Sequence, residues 1–136
     1  MTKRFSVLSN STIYFERLNM NITAPVLNEG EIHVGIFLQP NGTGYQLILL
    51  PGDNESASHS AQLEWATSIG GDLPDRSETA FMYKHIKDQF KKTWYWTNES
   101  YDAEWAWFQS FEHGRQSYTH QSFKLRARAV RRLVIE

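Results

Sequence analysis

The amino-acid sequence predicts an α+β fold, and three observations carry that prediction. A strand-turn-strand pattern occupies 31–50, two consecutive helical runs follow over 58–70 and 76–90, and the apolar period changes to two from Thr93 onward. A doubly wound parallel sheet would alternate strand with helix, and this order does not. A chain of 136 residues has the length for one core. The expected organisation is an N-terminal arm or edge strand over 1–30 and a single domain over 31–136.

The elements follow in order. Residues 1–30 hold the short apolar islands SVL, TIYF and APVL among Asn and Ser. In EIHVGIFLQPNGTGYQLILLPGD, strands at 31–38 and 44–50 flank a turn rich in Pro, Gly and Asn, which is an N-terminal hairpin. Ile32, Val34, Ile36 and Leu38 share one parity and His33 and Phe37 the other, while the LILL run predicts burial on both faces. Such a hairpin needs a cover. Ala61, Trp65 and Ile69 recur every four residues up to Gly70-Gly71, which predicts an amphipathic helix with a glycine stop. Asp75 and Glu78 have the spacing of a capping box, so a second helix begins there. Phe81, Met82, His85, Ile86 and Phe90 form its apolar face, and its lysines face water.

Antiparallel strands close the chain. TWYWTNES is a short aromatic strand. EWAWFQSFEHGRQSY carries Trp105, Trp107 and Gln109 on one parity and Ala106, Phe108 and Ser110 on the other, with Gly114 supplying positive φ in a turn at 113–115. In SFKLRARAVRRLV, Leu125, Ala127 and Ala129 lie opposite Lys124, Arg126, Arg128 and Val130, and the changed Arg parity at Arg131 marks a bulge or strand end.

Composition removes several chemistries. The absence of Cys excludes disulfides, thiolate nucleophiles and Cys-ligated metal. The chain has no run of 18 apolar residues, and Arg17 interrupts any secretory reading of the start, so neither membrane span nor signal peptide is expected. Asn-x-Ser/Thr triplets begin at Asn10, Asn21, Asn41, Asn54 and Asn98, and matter only on a glycosylating route. The five histidines show no H-E-x-x-H spacing, and no nucleophile elbow, Walker loop or dinucleotide fingerprint is present. The pairs Glu112-His113 and Asp102-Glu104 are close in sequence but are not natural strand dyads. The prediction is therefore a non-enzyme with no catalytic residue, no metal site and no cofactor.

Two features point to binding. Net charge is −1, yet residues 115–136 hold six basic residues against one acidic. The aromatic group Trp94, Tyr95, Trp96, Tyr101, Trp105, Trp107 and Phe108 exceeds what one core absorbs, because helices cannot cover both faces of one strand. Trp65 and Trp96 are read as core. Trp105 and Trp107, with Lys124, Arg126 and Arg128, form the candidate binding surface. It suits a protein partner or a second copy of the chain, with single-stranded nucleic acid and carbohydrate as alternatives. The arginines also suit an internal role, bracing a helix-start carboxylate or stacking on Trp.

GGDLPDRSE, YWTNES, WAWFQSFEHGRQ and RARAVRRL together resemble the signature of a C-type-lectin-like family of phages, prophages and bacterial surface proteins. The resemblance covers about residues 45–135. Gly71, Leu73, Pro74, Arg76, Glu78, Tyr95, Trp96, Phe111, Gly114, Arg128, Ala129, Val130 and Arg131 stand in the family's positions, and Asp75 stands where Thr or Ser is usual. The resemblance implies a display scaffold, with Trp65, Pro74, Asp75, Arg76, Glu78, Trp96 and Gly114 structural, and a place in the virion or the host cytoplasm. Calcium-dependent sugar binding is not expected, since Gln39-Pro40-Asn41 precedes the helices and Trp96-Thr97-Asn98-Glu99 only loosely echoes the calcium-binding strand.

Overall fold

The structure, a computed structural model, describes residues 5–9, 12–15 and 20–135, so Asn10, Arg17 and Glu136 lie outside the described residues. Its architecture is mixed α+β, with two helices and strands in three sheets among the described residues. Among the described residues, no helix is long and apolar enough to cross a membrane. The chain divides into two compact units, residues 1–48 with 132–136, and residues 49–131.

In the first unit, β1 (Phe5–Ser9), β2 (Thr12–Phe15) and β3 (Met20–Thr23) form an antiparallel sheet within the stretch read as arm or edge strand. A second sheet contains β4 (Ile32–Leu38), β5 (Gly44–Leu49) and the last strand, β11 (Val130–Ile135), with β5 in the middle. That central place accounts for Leu47 and Ile48 having no exposed surface. On the edge strand β4 the apolar parity is not uniformly buried. Ile36 and Leu38 are 37% and 47% exposed, whereas Phe37, on the opposite parity, stacks on Tyr45 at 5.3 Å.

The second unit contains β6 (Asn54–Ala57), β7 (Trp94–Ser100), β8 (Trp105–Ser110), β9 (Gln116–His120) and β10 (Leu125–Ala127), ordered β6-β10-β7-β8-β9. Its helices are α1 (His59–Ser68) and α2 (Arg76–Ile86). Ser58 caps α1, its hydroxyl accepting from the Ala61 amide at 3.3 Å. The capping box of α2 is complete: Asp75 Oδ1 accepts the Glu78 amide at 2.7 Å, and Glu78 Oε1 accepts the Asp75 amide at 2.8 Å. The α-helix stops at Ile86, and one 3-10 turn, Lys87–Gln89, replaces its expected last turn.

The core gathers Leu50, Ala66, Leu73, Trp96, Ala106, Phe108, Leu125, Ala127 and Ala129, with Leu63 and Trp65 packed against it. Pro74 is buried and Gly114 has φ +83°. The C-terminal segment, expected as one strand, is two. After β10 the chain leaves that sheet at Arg128-Ala129 and continues as β11 in another, the Ala129 carbonyl accepting from Leu50 N and Val130 exchanging both backbone bonds with Asp72. This break places the strand end at Ala127, four residues before the parity change at Arg131.

Two tests follow from local geometry. Gly70 has φ +84° with open space where a Cβ would stand, whereas a Cβ on Gly71 would come within 2.7 Å of the Val130 carbonyl oxygen and 2.6 Å of a Leu50 methyl. Gly70→Ala is expected to cost about 1 kcal/mol through backbone strain alone. Gly71→Ala is expected to cost about 2–3 kcal/mol, because backbone must move. Urea denaturation of both variants checks the order.

His59 is buried. Its Nε2–H donates to the Thr97 carbonyl at 2.8 Å, and its ring meets Trp96 edge-on at 5.0 Å. Burial lowers its pKa, and the bond to Thr97 opposes that only in part. A depressed imidazole pKa gives stability that is present above the ordinary value of about 6.5 and is lost as pH falls through the folded value. The urea midpoint should therefore drop on acidification below about pH 6.5, and His59→Gln should flatten that drop.

Candidate functional site

The candidate site grows from the β7-β8-β9 part of the sheet. Antiparallel register sets Trp105 opposite His120, Trp107 opposite Tyr118 and Gln109 opposite Gln116, so all six project from one face. On the other parity of β8, Ala106 and Phe108 fill the core. Between β7 and β8 the register shifts between Trp96 and Ser100, and the bulge carries the chain into a turn that sets Tyr101 beside the same face.

Side-chain bonds hold this turn. Asp102 Oδ1 accepts the amides of Glu104 and Trp105 at 2.8 and 2.9 Å. The Gln121 amide donates to the carbonyls of Asp102 and Trp105 at 3.1 and 3.2 Å. Just after β9, the Ser122 hydroxyl and backbone amide approach His120 Nδ1 at 2.7 and 3.2 Å.

The rings form a wall with two perpendicular panels. Tyr101 and Tyr118 stack in parallel at 4.0 Å, with an interplanar angle of 2°. Trp107 meets Tyr118 at 5.0 Å and 74°, and Trp105 meets it at 6.1 Å and 86°. Tyr101, Tyr118 and Trp105 remain 52%, 40% and 38% exposed. The hydrogen bond between the two phenols raises the pKa of Tyr101, and the Asp102 charge adds to the shift.

Helix α2 supplies the other edge. The Arg76 guanidinium lies over the Trp107 ring at 3.5 Å. Arg76 Nε donates to Gln116 Oε1 at 3.1 Å, the Gln116 amide donates back to the Arg76 carbonyl at 2.6 Å, and Glu99 accepts the Arg76 backbone amide at 2.7 Å. Asn98 donates to Asp72 at 3.0 Å. The Asn98-Glu99 pair of the calcium-like echo is thus spent on internal bonds.

The basic part of the expected surface is placed elsewhere. Arg128 is buried, donating from Nη1 to the Gln89 carbonyl at 2.6 Å and from Nη2 to the Leu50 carbonyl at 2.8 Å. Arg126 Nε binds Asp53 Oδ1 at 2.7 Å, with Glu55 3.5 Å from its Nη1. The Tyr95 hydroxyl donates to the other Asp53 oxygen. Burial first, and the bond to Asp53 second, push the Tyr95 pKa up to about 12. Lys124 is exposed and lines a cavity of about 160 Å³ with Ser56, Lys92, Thr93, Trp94, Glu112 and Leu125. Trp105 and Trp107 stand beside Tyr101, Tyr118, His120 and Arg76; register puts Arg126 on the same sheet face through Tyr95 and Gln109, but it is paired with Asp53 and Arg128 is buried, so no open basic stripe adjoins the two indoles. The physical reason is that β10 lies between two strands, where a guanidinium must find partners inside the fold.

Tyr118 was the residue that sequence reading missed. The register that sets it opposite Trp107 centres on the four-residue loop 111–114 and not on Gly114, so counting outward from the glycine misplaces it. Among the described residues, no three His, Asp or Glu side chains gather in a way that could hold a metal ion. No protein-family model and no curated protein sequence matches the chain.

A structural Arg128 makes a clear prediction. Arg128→Met should lower unfolding free energy by about 2 kcal/mol, because carbonyls inside the fold lose their donors. Lys124→Ala should change it by less than about 0.5 kcal/mol. Chemical denaturation checks both.

Proposed function

We propose that this chain is a phage or prophage accessory protein on a C-type-lectin-like scaffold, acting without catalysis by binding a protein through Tyr101, Trp105, Trp107 and Tyr118. A virion-associated or tail-associated receptor binder is its specific form. The scaffold reading is supported by the signature residues and by the element order of hairpin, two consecutive helices and antiparallel strands. The residues of the signature take scaffold roles: Glu78 completes a helix cap, Trp96 fills the core and Arg128 spans two carbonyls.

The observation that carries the binding reading is the braced aromatic face, on which three large rings stay 38–52% exposed. Tyr, Trp and Arg dominate the energetic centres of protein interfaces, and a surface already held in place loses little freedom on binding. A nucleic-acid partner is less well served, since Arg126 is paired with Asp53 and Arg128 is buried.

Affinity capture from prophage-carrying cells tests the reading, using intact protein and a Trp105→Ala, Tyr118→Ala control. The expected result is a protein retained by the intact chain alone that, once purified, binds it with a Kd of about 1 μM or tighter. Light scattering reports the case in which that protein is a second copy. Binding of a labelled single-stranded oligonucleotide that weakens steeply with salt, or of an oligosaccharide, lost in the same control, would replace this reading.

A further inference from the structure

The aromatic face has an electrostatic character that narrows what can dock on it. Each ring carries negative potential on its faces, and two rings set at right angles direct that potential into the corner between them. Trp105 stands at 86° to Tyr118, which is backed by the parallel Tyr101 ring. The turn that holds this corner adds the exposed carboxylate of Asp102, which accepts the Trp105 amide at 2.9 Å. On β7, Glu99 is half-buried and faces the start of α2. The charge that α2 brings, Arg76, is already stacked on Trp107 and bonded to Gln116. His120, beside Trp105 at 5.8 Å, binds Ser122 through Nδ1. The carboxylate at the rim of the corner is thus Asp102, and the walls of the corner are π faces.

We infer that the corner between Trp105 and the Tyr101–Tyr118 pair receives an arginine side chain presented by the protein partner, with Asp102 supplying the counter-charge. The inference rests on the protein-binding reading above and names the chemistry of that partner. Charge complementarity selects a cation. Planarity selects arginine over lysine, because a guanidinium lies flat on an indole, as Arg76 lies on Trp107 at 3.5 Å. An acidic peptide or a phosphate backbone would meet like charge at the same rim.

The probe is an acetylated and amidated pentapeptide, Gly-Arg-Gly-Arg-Gly, which contains no aromatic group. Its control replaces each arginine with citrulline, which has the same shape and no charge. Binding to the full chain and to its variants is followed through the backbone amide resonances of residues 101–120, and also through the indole N–H resonance of Trp105 where that ring is present. The arginine peptide should bind about tenfold more tightly than the citrulline peptide. Trp105→Leu should abolish the difference, and Asp102→Asn, which keeps an Oδ1 acceptor for the turn and removes the charge, should reduce it about threefold. Equal affinity for the two peptides, no binding of the arginine peptide at millimolar concentration, or binding indifferent to both substitutions would overturn the inference. Failure here leaves the protein-binding reading to the capture experiment, since a captured partner that needs Trp105 but no cation removes the arginine alone. A capture that yields no partner removes the wider reading instead.

Discussion

The indole of Trp96 is the constraint on which the second unit depends. Its ring has no exposed surface, and its N–H donates to the Ala57 carbonyl at 3.0 Å, which ties the central strand β7 to the edge strand β6 across β10. Truncating a buried ring of this size typically costs on the order of 3–5 kcal/mol. Among the neighbours on the same face, Ala106 and Ala127 are small and Phe108 is flat, which leaves room for the indole beside Leu125. His59 then has to enter α1 edge-on to the ring and neutral, since a charge there would be taken out of water.

Period two turns the adjacent residue to the opposite face, and Tyr95 organises what happens there. Phe90 and Phe111 stack on one another at 3.9 Å, and both meet Tyr95 nearly edge-on. The Tyr95 hydroxyl reaches Asp53, which also holds Arg126. The positive charge of β10 is consumed by this arrangement. An arginine-rich strand in the middle of a sheet is viable only where carboxylates and carbonyls wait for it, and Asp53, Glu55, Gln89 and Leu50 supply them.

Farther along the same sheet, the covering elements end before the rings do. Helix α2 reaches Trp107 with Arg76 and goes no farther. Tyr101, Trp105 and Tyr118 consequently pack on one another instead of under a helix, and Asp102 and Gln121 fix the turn that carries them. Binding capacity arises here from an aromatic surface that the fold orders without burying.

By itself the sequence determined the local elements. The capping box at Asp75 and Glu78, the glycine stop at Gly70-Gly71, the buried run Leu47 to Leu50 and the parity of Trp105 and Trp107 are all legible, because each depends on spacing within a few residues. The short strands β1, β2, β3 and β6 were less legible, since three of them have four residues and none has more than five, too few for periodicity to register. Only the tertiary structure decided the fate of the arginines. Alternation along a strand says that Arg126 and Arg128 share a side, but whether that side meets water or Asp53 depends on pairing between residues 73 positions apart. The same holds for Arg76 on Trp107 and for Tyr118 against Tyr101. These contacts join segments distant in the chain, and nothing within any one segment encodes its partner.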